Sequence, residues 1–110
     1  MQFSVTEIAE AVSARIVAAP NPDAQIASVT WDSRTASEGS LYVALAGERV
    51  DGHDYVLAAV SAGAHCALVT RSLPDEVVAR VQELGAAILL VDDAQVAITD
   101  LARVWRGRLQ

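Results

Sequence analysis

The hydrophobic positions of this chain fall into two kinds of pattern. Continuous apolar runs are typical of strands buried on both faces, and they occupy 41–45, 66–70 and 86–91. Apolar residues three and four positions apart mark one buried face of a helix, and they recur over 54–63, over 72–85 and after residue 93. This alternation predicts an α/β fold: a small three-layer domain with a mostly parallel or mixed sheet flanked by helices.

The first half of the chain predicts the same alternation with shorter patterns. Thr6 is the expected N-cap of a first helix. A short apolar run follows at 16–18, and alternation from Ile26 to Trp31 predicts a further strand. Because these patterns are short, strand directions before Ala46 can be mixed.

Caps and stop residues set the expected ends of the later helices. Asp54 is the expected cap of a helix that ends at Gly63, and Asp92-Asp93 the cap of the last helix. Proline and two acids open the helix that Gly85 stops. The buried stripe of that helix is expected to comprise Val77, Val78, Val81 and Leu84. No linker interrupts the pattern, which indicates a single domain over residues 1–110.

The charged residues exclude several kinds of chemistry. All eight basic residues are arginines and the chain has no lysine, so it lacks the lysine of a phosphate-binding loop and cannot form a Schiff base. A net charge of −6 argues against a nucleic-acid or anionic-membrane partner. Cys66 is the only cysteine, and the first residues show no signal peptide, so a cytoplasmic location is expected.

A first polar turn, Asp32-Ser33-Arg34-Thr35, follows the strand that ends at Trp31. A guanidinium and hydroxyl groups at the carboxyl end of a strand suit an anionic or hydroxyl-rich ligand. The alternative is a purely structural turn in which Arg34 pairs with Asp32, and this is the commoner use of such residues.

A second polar loop spans 47–54 and contains two glycines, Arg49 and His53. The glycines permit a ligand to approach the backbone closely, and His53 with Asp51 or Asp54 has the composition of an acid–base pair. The alternative is a solvated loop with His53 packed near the start of the next helix. His65 and Cys66 are adjacent but lack the spacing of a metal site, so no metal ligand is predicted.

These motifs together resemble the N-terminal domain of the Mur ligases, the ATP-dependent amide ligases that build the peptide stem of peptidoglycan. The resemblance rests on a D-S-R turn at 32–34, a G-S-L-Y-V-A-L strand at 39–45, a G-E-R-V-D-G-H loop at 47–53 and a helix ending in G-A at 63–64. It covers essentially the whole chain. Residues 45–53 and the tail are most similar to the branch that adds D-alanyl-D-alanine, and the runner-up is the branch that adds the third stem residue.

The resemblance implies a division of labour between domains. This domain would hold the UDP end of a UDP-N-acetylmuramoyl-peptide, whereas ATP and magnesium would bind to a central domain outside this chain, and a C-terminal domain would help to place the amine. The implied substrate-binding residues are Ser33, with Arg34 and Thr35 in support, and the loop residues Arg49, Asp51 and His53. No catalytic residue is implied in the chain, which is expected to be inactive by itself. A free-standing UDP-sugar-binding module is the competing hypothesis, and a hydrolase that uses His53 and Asp51 ranks below both.

Overall fold

The computed structural model describes residues 3–46 and 51–108, which form a helix-flanked mixed sheet. The strands are β1 (Phe3–Ser4), β2 (Arg15–Ala18), β3 (Gln25–Ile26), β4 (Ser28–Thr30), β5 (Ser40–Val43), β6 (Cys66–Val69) and β7 (Ala87–Leu90). The helices are α1 (Val5–Ala11), α2 (Val56–Ser61), α3 (Asp75–Glu83) and α4 (Ala94–Arg108). Two 3₁₀ turns, at Ser33–Thr35 and Gly52–Tyr55, follow β4 and precede α2.

The main sheet has five strands in the order β2-β7-β6-β5-β4. The strands from β4 to β7 are neighbours in chain order and all parallel, whereas β2 pairs antiparallel with β7 at one edge. The prediction of a mostly parallel or mixed sheet is therefore confirmed. Parallel pairing brings the carboxyl ends of β4, β5 and β6 to one edge of the sheet.

Both faces of the parallel strands are buried, which makes the domain three layers deep. Alternate side chains point to opposite faces, so Leu41 and Val43 pack with α1 and α4, while Tyr42 and Ala44 pack with α2 and α3. The same alternation continues along β6 and β7. This double burial explains why these strands read as continuous apolar runs.

The N-terminal segment corrects two of the expectations. Ser4, not Thr6, is the N-cap of α1: the Ser4 hydroxyl accepts from the Glu7 amide at 3.1 Å, and the Glu7 carboxylate accepts from the Ser4 amide at 2.9 Å. The strand expected from Ile26 to Trp31 is divided at Ala27. Gln25–Ile26 pairs with β1, whereas Ser28–Thr30 joins the main sheet beside β5. A period of two marks extended backbone without specifying its partner.

The later helix ends mix confirmed and corrected expectations. Gly85 ends the α3 segment in a left-handed conformation with φ of +83°, and the Asp93 carboxylate caps α4 as predicted. Asp54 is not a cap, because the Asp51 side chain caps a 3₁₀ turn that precedes α2. Leu84 follows the last residue of α3 and is 42% exposed, so it does not belong to the buried stripe.

Within the described residues, no helix is long and apolar enough to cross a membrane.

Two leucines test the described core. Leu68 in β6 is fully buried and Leu84 is exposed, so Leu68→Ala is expected to lower the free energy of unfolding by about 3 kcal/mol. The control Leu84→Ala is expected to change it by less than about 0.5 kcal/mol. Urea unfolding followed by circular dichroism measures both, and equal losses would contradict the assignment of Leu84 to the surface.

Candidate functional site

A cavity of about 530 Å³ lies at the carboxyl edge of the sheet, between the two polar segments that the sequence singles out. The turn after β4 forms one wall and the turn before α2 forms the other. The lining residues are Trp31, Asp32, Ser33, Arg34, Tyr42, Leu45, Gly52 and Tyr55. Carboxyl edges of parallel strands are the usual ligand sites of α/β folds, because the strands end there and the loops diverge.

The first wall is a 3₁₀ turn held by Asp32. The Asp32 Oδ1 atom accepts from the Arg34 amide at 2.9 Å, and the two carboxylate oxygens accept from Arg34 Nε at 3.1 Å and Nη2 at 2.9 Å. These bonds lower the pKa of Asp32, chiefly through the Arg34 side chain, and raise the pKa of Arg34. The pairing expected for a structural turn is thus present, yet the Arg34 side chain remains 87% exposed at the cavity rim.

Ser33 and Thr35 differ in what their hydroxyl groups already do. The Thr35 hydroxyl donates to the Asp32 carbonyl at 2.9 Å and lies 2.6 Å from the Thr30 hydroxyl. In the part of the chain that the structure describes, the Ser33 hydroxyl has no hydrogen-bonding partner, and Ser33 lines the cavity. Ser33 therefore offers a ligand a hydroxyl that no neighbour occupies.

The second wall is fixed to β5 through Gly52. The Gly52 amide donates to the Leu45 carbonyl at 2.8 Å, and the hydroxyl of Tyr42 donates to the Gly52 carbonyl at 2.8 Å. A Cβ atom at residue 52 would lie 2.7 Å from the Leu45 nitrogen, so only glycine fits. Burial, followed by the nearby Asp32 and Asp51 charges, raises the pKa of Tyr42, which stays a neutral hydrogen-bond donor.

Behind this wall, the buried side chain of His53 forms a hydrogen-bond network with the partly exposed Asp51. Its Nδ1 atom lies 2.7 Å from Asp51 Oδ1, and its Nε2 atom accepts from the Thr70 amide at 3.0 Å. Arg71 Nη2 donates to the other oxygen of Asp51 at 2.6 Å. That guanidinium, followed by the amide and ring of His53, holds the pKa of Asp51 well below its ordinary value.

The predicted site residues therefore occupy different positions. Ser33 and Arg34 line the cavity, while Thr35, Asp51 and His53 are absent from its lining. Arg49 lies outside the described residues. The structure brings the two polar segments to the same cavity. They are far enough apart in the sequence that their order along the chain does not by itself predict this contact.

The site residues predicted from the sequence do not include the apolar and aromatic part of the lining. Trp31 is 64% exposed, and Tyr55 is also exposed beside it in the cavity lining. Trp31 carried a signal, since a large aromatic directly before a polar turn is an unusual place for a core residue. Tyr42 carried none, because the hydroxyl of a tyrosine within a buried run does not reveal its partner.

A second hollow of about 610 Å³ lies near the opposite, amino edge of the sheet, against the loop at 20–24 and His65. The His65 Nδ1 atom is buried there without a partner among the described residues. This hollow has no counterpart to the Ser33 turn or the exposed aromatic rings. Across residues 3–46 and 51–108, no three His, Cys, Asp or Glu side chains are grouped as a metal ion requires.

Comparison with known proteins assigns the family. A profile described as the catalytic domain of the Mur ligase family matches residues 25–104. UDP-N-acetylmuramoyl-L-alanyl-D-glutamate–2,6-diaminopimelate ligase of Streptomyces coelicolor is 36% identical over 107 residues, which are 97% of this chain and 20% of that protein. UDP-N-acetylmuramoyl-tripeptide–D-alanyl-D-alanine ligase of Bacillus subtilis is 32% identical over 106 residues, 96% of this chain and 22% of that protein.

A solved relative confirms the fold. The crystal structure of MurF from Acinetobacter baumannii superimposes with a TM-score of 0.74 at 28% identity, covering 92% of this chain and 20% of that one. The chain belongs to the Mur ligase family, the ligases of peptidoglycan synthesis, and the resemblance is confirmed. The chain spans about a fifth of the length of these relatives.

The close approach at Gly52 can be tested by adding one methyl group. Gly52→Ala is expected to lower the free energy of unfolding by about 1–3 kcal/mol, because the new Cβ atom meets the backbone of Leu45. Gly107→Ala is the matched control, since a Cβ atom there meets nothing within 4 Å. Urea unfolding of both variants checks the prediction, which fails if they are equally stable.

The Asp51 network predicts a dependence of stability on acid. The pKa of the Asp51 carboxyl group is lower in the folded protein than in the unfolded chain, where it is near 3.8. The ionised carboxylate therefore stabilises the folded protein at pH values above 3.8, and this stabilisation is lost as the pH falls. The stability difference between wild type and Asp51→Asn should therefore be largest near neutral pH and shrink below pH of about 4. Urea unfolding at several pH values measures it, with Asp54→Asn, an exposed neighbour, as the control. A difference that stays constant with pH would contradict the role of the Asp51 charge.

Proposed function

We propose that this chain is the UDP-N-acetylmuramoyl-peptide recognition domain of an ATP-dependent ligase that adds D-alanyl-D-alanine to UDP-N-acetylmuramoyl-tripeptide. In this proposal residues 1–110 are the N-terminal domain of a longer ligase, and the partner domains for ATP and for the amine belong to the same protein. The location is cytoplasmic, with no nucleic-acid partner and no insertion into a membrane.

The cavity at the carboxyl edge carries the proposal. Its rim combines the unoccupied Ser33 hydroxyl and the exposed Arg34 guanidinium with the rings of Trp31 and Tyr55. A hydroxyl and a guanidinium suit the oxygens of a diphosphate, while aromatic rings suit a planar base. A cavity with this combination of polar and aromatic groups suits a nucleoside diphosphate.

ATP and magnesium belong, in this proposal, to another domain. The chain has no lysine for a phosphate-binding loop, and the described residues contain no group of side chains suited to a metal ion. The domain alone is expected to bind the substrate without turning it over.

The relatives favour one alternative, a ligase that adds the third stem residue. The Streptomyces coelicolor protein is named for 2,6-diaminopimelate and covers nearly the whole of this chain, whereas the Acinetobacter baumannii structure is of MurF. The two additions are distinguished by an activity assay on the longer protein that contains this domain, in which each UDP-peptide is supplied with the amine that its ligase adds. Product only from UDP-N-acetylmuramoyl-tripeptide and D-alanyl-D-alanine supports the proposal, and product only from the shorter peptide and diaminopimelate supports the alternative. A stop codon directly after residue 110 in the gene would instead support a free-standing module.

The binding proposal is testable on this domain. Titration of the ¹⁵N-labelled chain with UDP-N-acetylmuramoyl-tripeptide is expected to shift the amides of Ser33, Arg34, Gly52 and Tyr55. Ser33→Ala should weaken binding about threefold to tenfold, because one hydrogen bond is lost. The control Ser61→Ala changes an exposed serine at the end of α2 and should bind as wild type does.

Intrinsic fluorescence gives an independent measure of the same site. Trp31 lines the cavity, while Trp105 stacks edge-on against Phe3 at 5.5 Å between ring centroids. In Trp105→Phe only the Trp31 signal remains, and the ligand should change it. Amide shifts confined to the opposite edge of the sheet, around His65, would overturn the site assignment.

A further inference from the structure

We infer that His53 is a positioning residue: it ties the cavity wall formed by Gly52–Tyr55 to the end of β6 and does not itself touch the ligand. The inference deepens the proposed function and rests on it for the identity of the ligand. In this inference His53 affects binding by holding the cavity wall in position, and it makes no direct contact with the substrate.

Burial is the first argument. The His53 side chain is 1% exposed and does not line the cavity, although the adjacent Gly52 does. A ligand in the cavity meets the backbone of this turn and the ring of Tyr55, not the imidazole. An effect of His53 on binding must therefore pass through the position of the turn.

The hydrogen bonds determine which nitrogen of the imidazole carries the proton. The Thr70 amide can only donate, so the Nε2 atom at 3.0 Å must be its acceptor. The proton of a neutral ring then sits on Nδ1 and donates to Asp51 Oδ1 at 2.7 Å. Both nitrogens are occupied, which leaves neither free to take a proton from a substrate and weighs against the hydrolase hypothesis.

Asp51 keeps the ring in this orientation from the other side. Its Oδ1 atom also accepts from the His53 amide at 2.9 Å, and Oδ2 accepts from Arg71 Nη2 at 2.6 Å. The Arg71 side chain is about half exposed, so its ion pair is weakened by solvent. The part-buried bond between Thr70 and His53 is the stronger tie between the turn and β6, because it is better shielded from solvent and a shielded amide without a partner is costly.

Without that bond the wall keeps its ties to β5, but only the solvent-exposed ion pair between Asp51 and Arg71 links it to the end of β6. Gly52 retains its bonds to Leu45 and Tyr42, whereas the turn loses its hydrogen bond to the Thr70 amide. A wall that is free to move must be ordered when the ligand binds, and this ordering lowers the affinity. His53 thus holds the Gly52–Tyr55 turn in its binding conformation before the ligand binds.

Two conservative substitutions separate the two nitrogens. The oxygen of glutamine reaches approximately the place of Nε2 and can accept from Thr70, whereas asparagine reaches only the place of Nδ1, beside Asp51. The proposal therefore predicts rescue by His53→Gln and not by His53→Asn. The control His65→Ala removes the other histidine, which lies near the opposite edge of the sheet.

The test measures three quantities on the wild-type chain and the variants His53→Ala, His53→Gln, His53→Asn and His65→Ala. These are hydrogen exchange at the Thr70 amide, the ¹⁵N shifts of the imidazole, and the affinity for UDP-N-acetylmuramoyl-tripeptide. We expect the wild-type ring to show a protonated Nδ1. In His53→Ala, exchange at Thr70 should accelerate and the affinity should fall about threefold to tenfold. Glutamine should restore most of both, and His65→Ala should change neither.

Each outcome decides for or against the positioning role. Lower affinity of His53→Ala with unchanged Thr70 exchange means direct contact and overturns the inference, as does rescue by asparagine in place of glutamine. If His53→Ala fails to fold, the comparison of the glutamine and asparagine variants decides. If wild type does not bind the UDP-peptide, the proposed function fails. Thr70 exchange and the amide shifts of Gly52–Tyr55 then show whether His53 anchors the wall: slow exchange kept by glutamine supports the anchor, and exchange unaffected by His53→Ala overturns it.

Discussion

The burial of both sheet faces is the constraint on which the rest of this structure depends. Strands β5, β6 and β7 have helices on either side, so almost every side chain along them must be apolar. Polar chemistry is displaced to the ends of the strands, where backbone groups also need partners. Cys66 illustrates the rule from within: complete burial raises the pKa of its thiol to about 12 and leaves it an inert core residue.

At the carboxyl edge, the polar groups divide into those that hold the loops and those that remain available. Asp32, Thr35, Asp51 and His53 are engaged in bonds within or between the loops. The Ser33 hydroxyl and the exposed part of Arg34 remain available at the rim. A rigid frame that presents a few accessible groups loses little entropy on binding, which is the physical advantage of such an arrangement.

The family assignment gives this arrangement its context. Relatives named for two different additions to a UDP-linked peptide match nearly the whole chain while the chain spans about a fifth of each. A domain shared by ligases that act on different amines is suited to the part of the substrate that they have in common. This reasoning supports the proposal that the turn after β4 and the turn before α2 recognise the nucleotide.

The sequence by itself determined the α/β class, the buried strands, the ends of several elements and the two polar segments. Apolar runs, the Gly85 stop and the Asp93 cap depend on residues close in the chain, and local patterns report them well. The D-S-R turn, the strand at 39–45, the loop at 47–53 and the G-A helix end together suggested the family. The division of the strand at Ala27 was beyond local patterns, because the partner of an extended segment is chosen by distant residues such as Phe3 and Ser40.

Only the tertiary structure decided what each polar side chain faces. Ser33 and His53 both belong to motifs of the same apparent rank, yet one lines the cavity and the other is buried behind its wall. The direction of the His53 ring depends on the amide of Thr70, seventeen residues away. This bond depends on the position of the end of β6 relative to the Gly52–Tyr55 turn, and that position follows from the packing of the whole sheet.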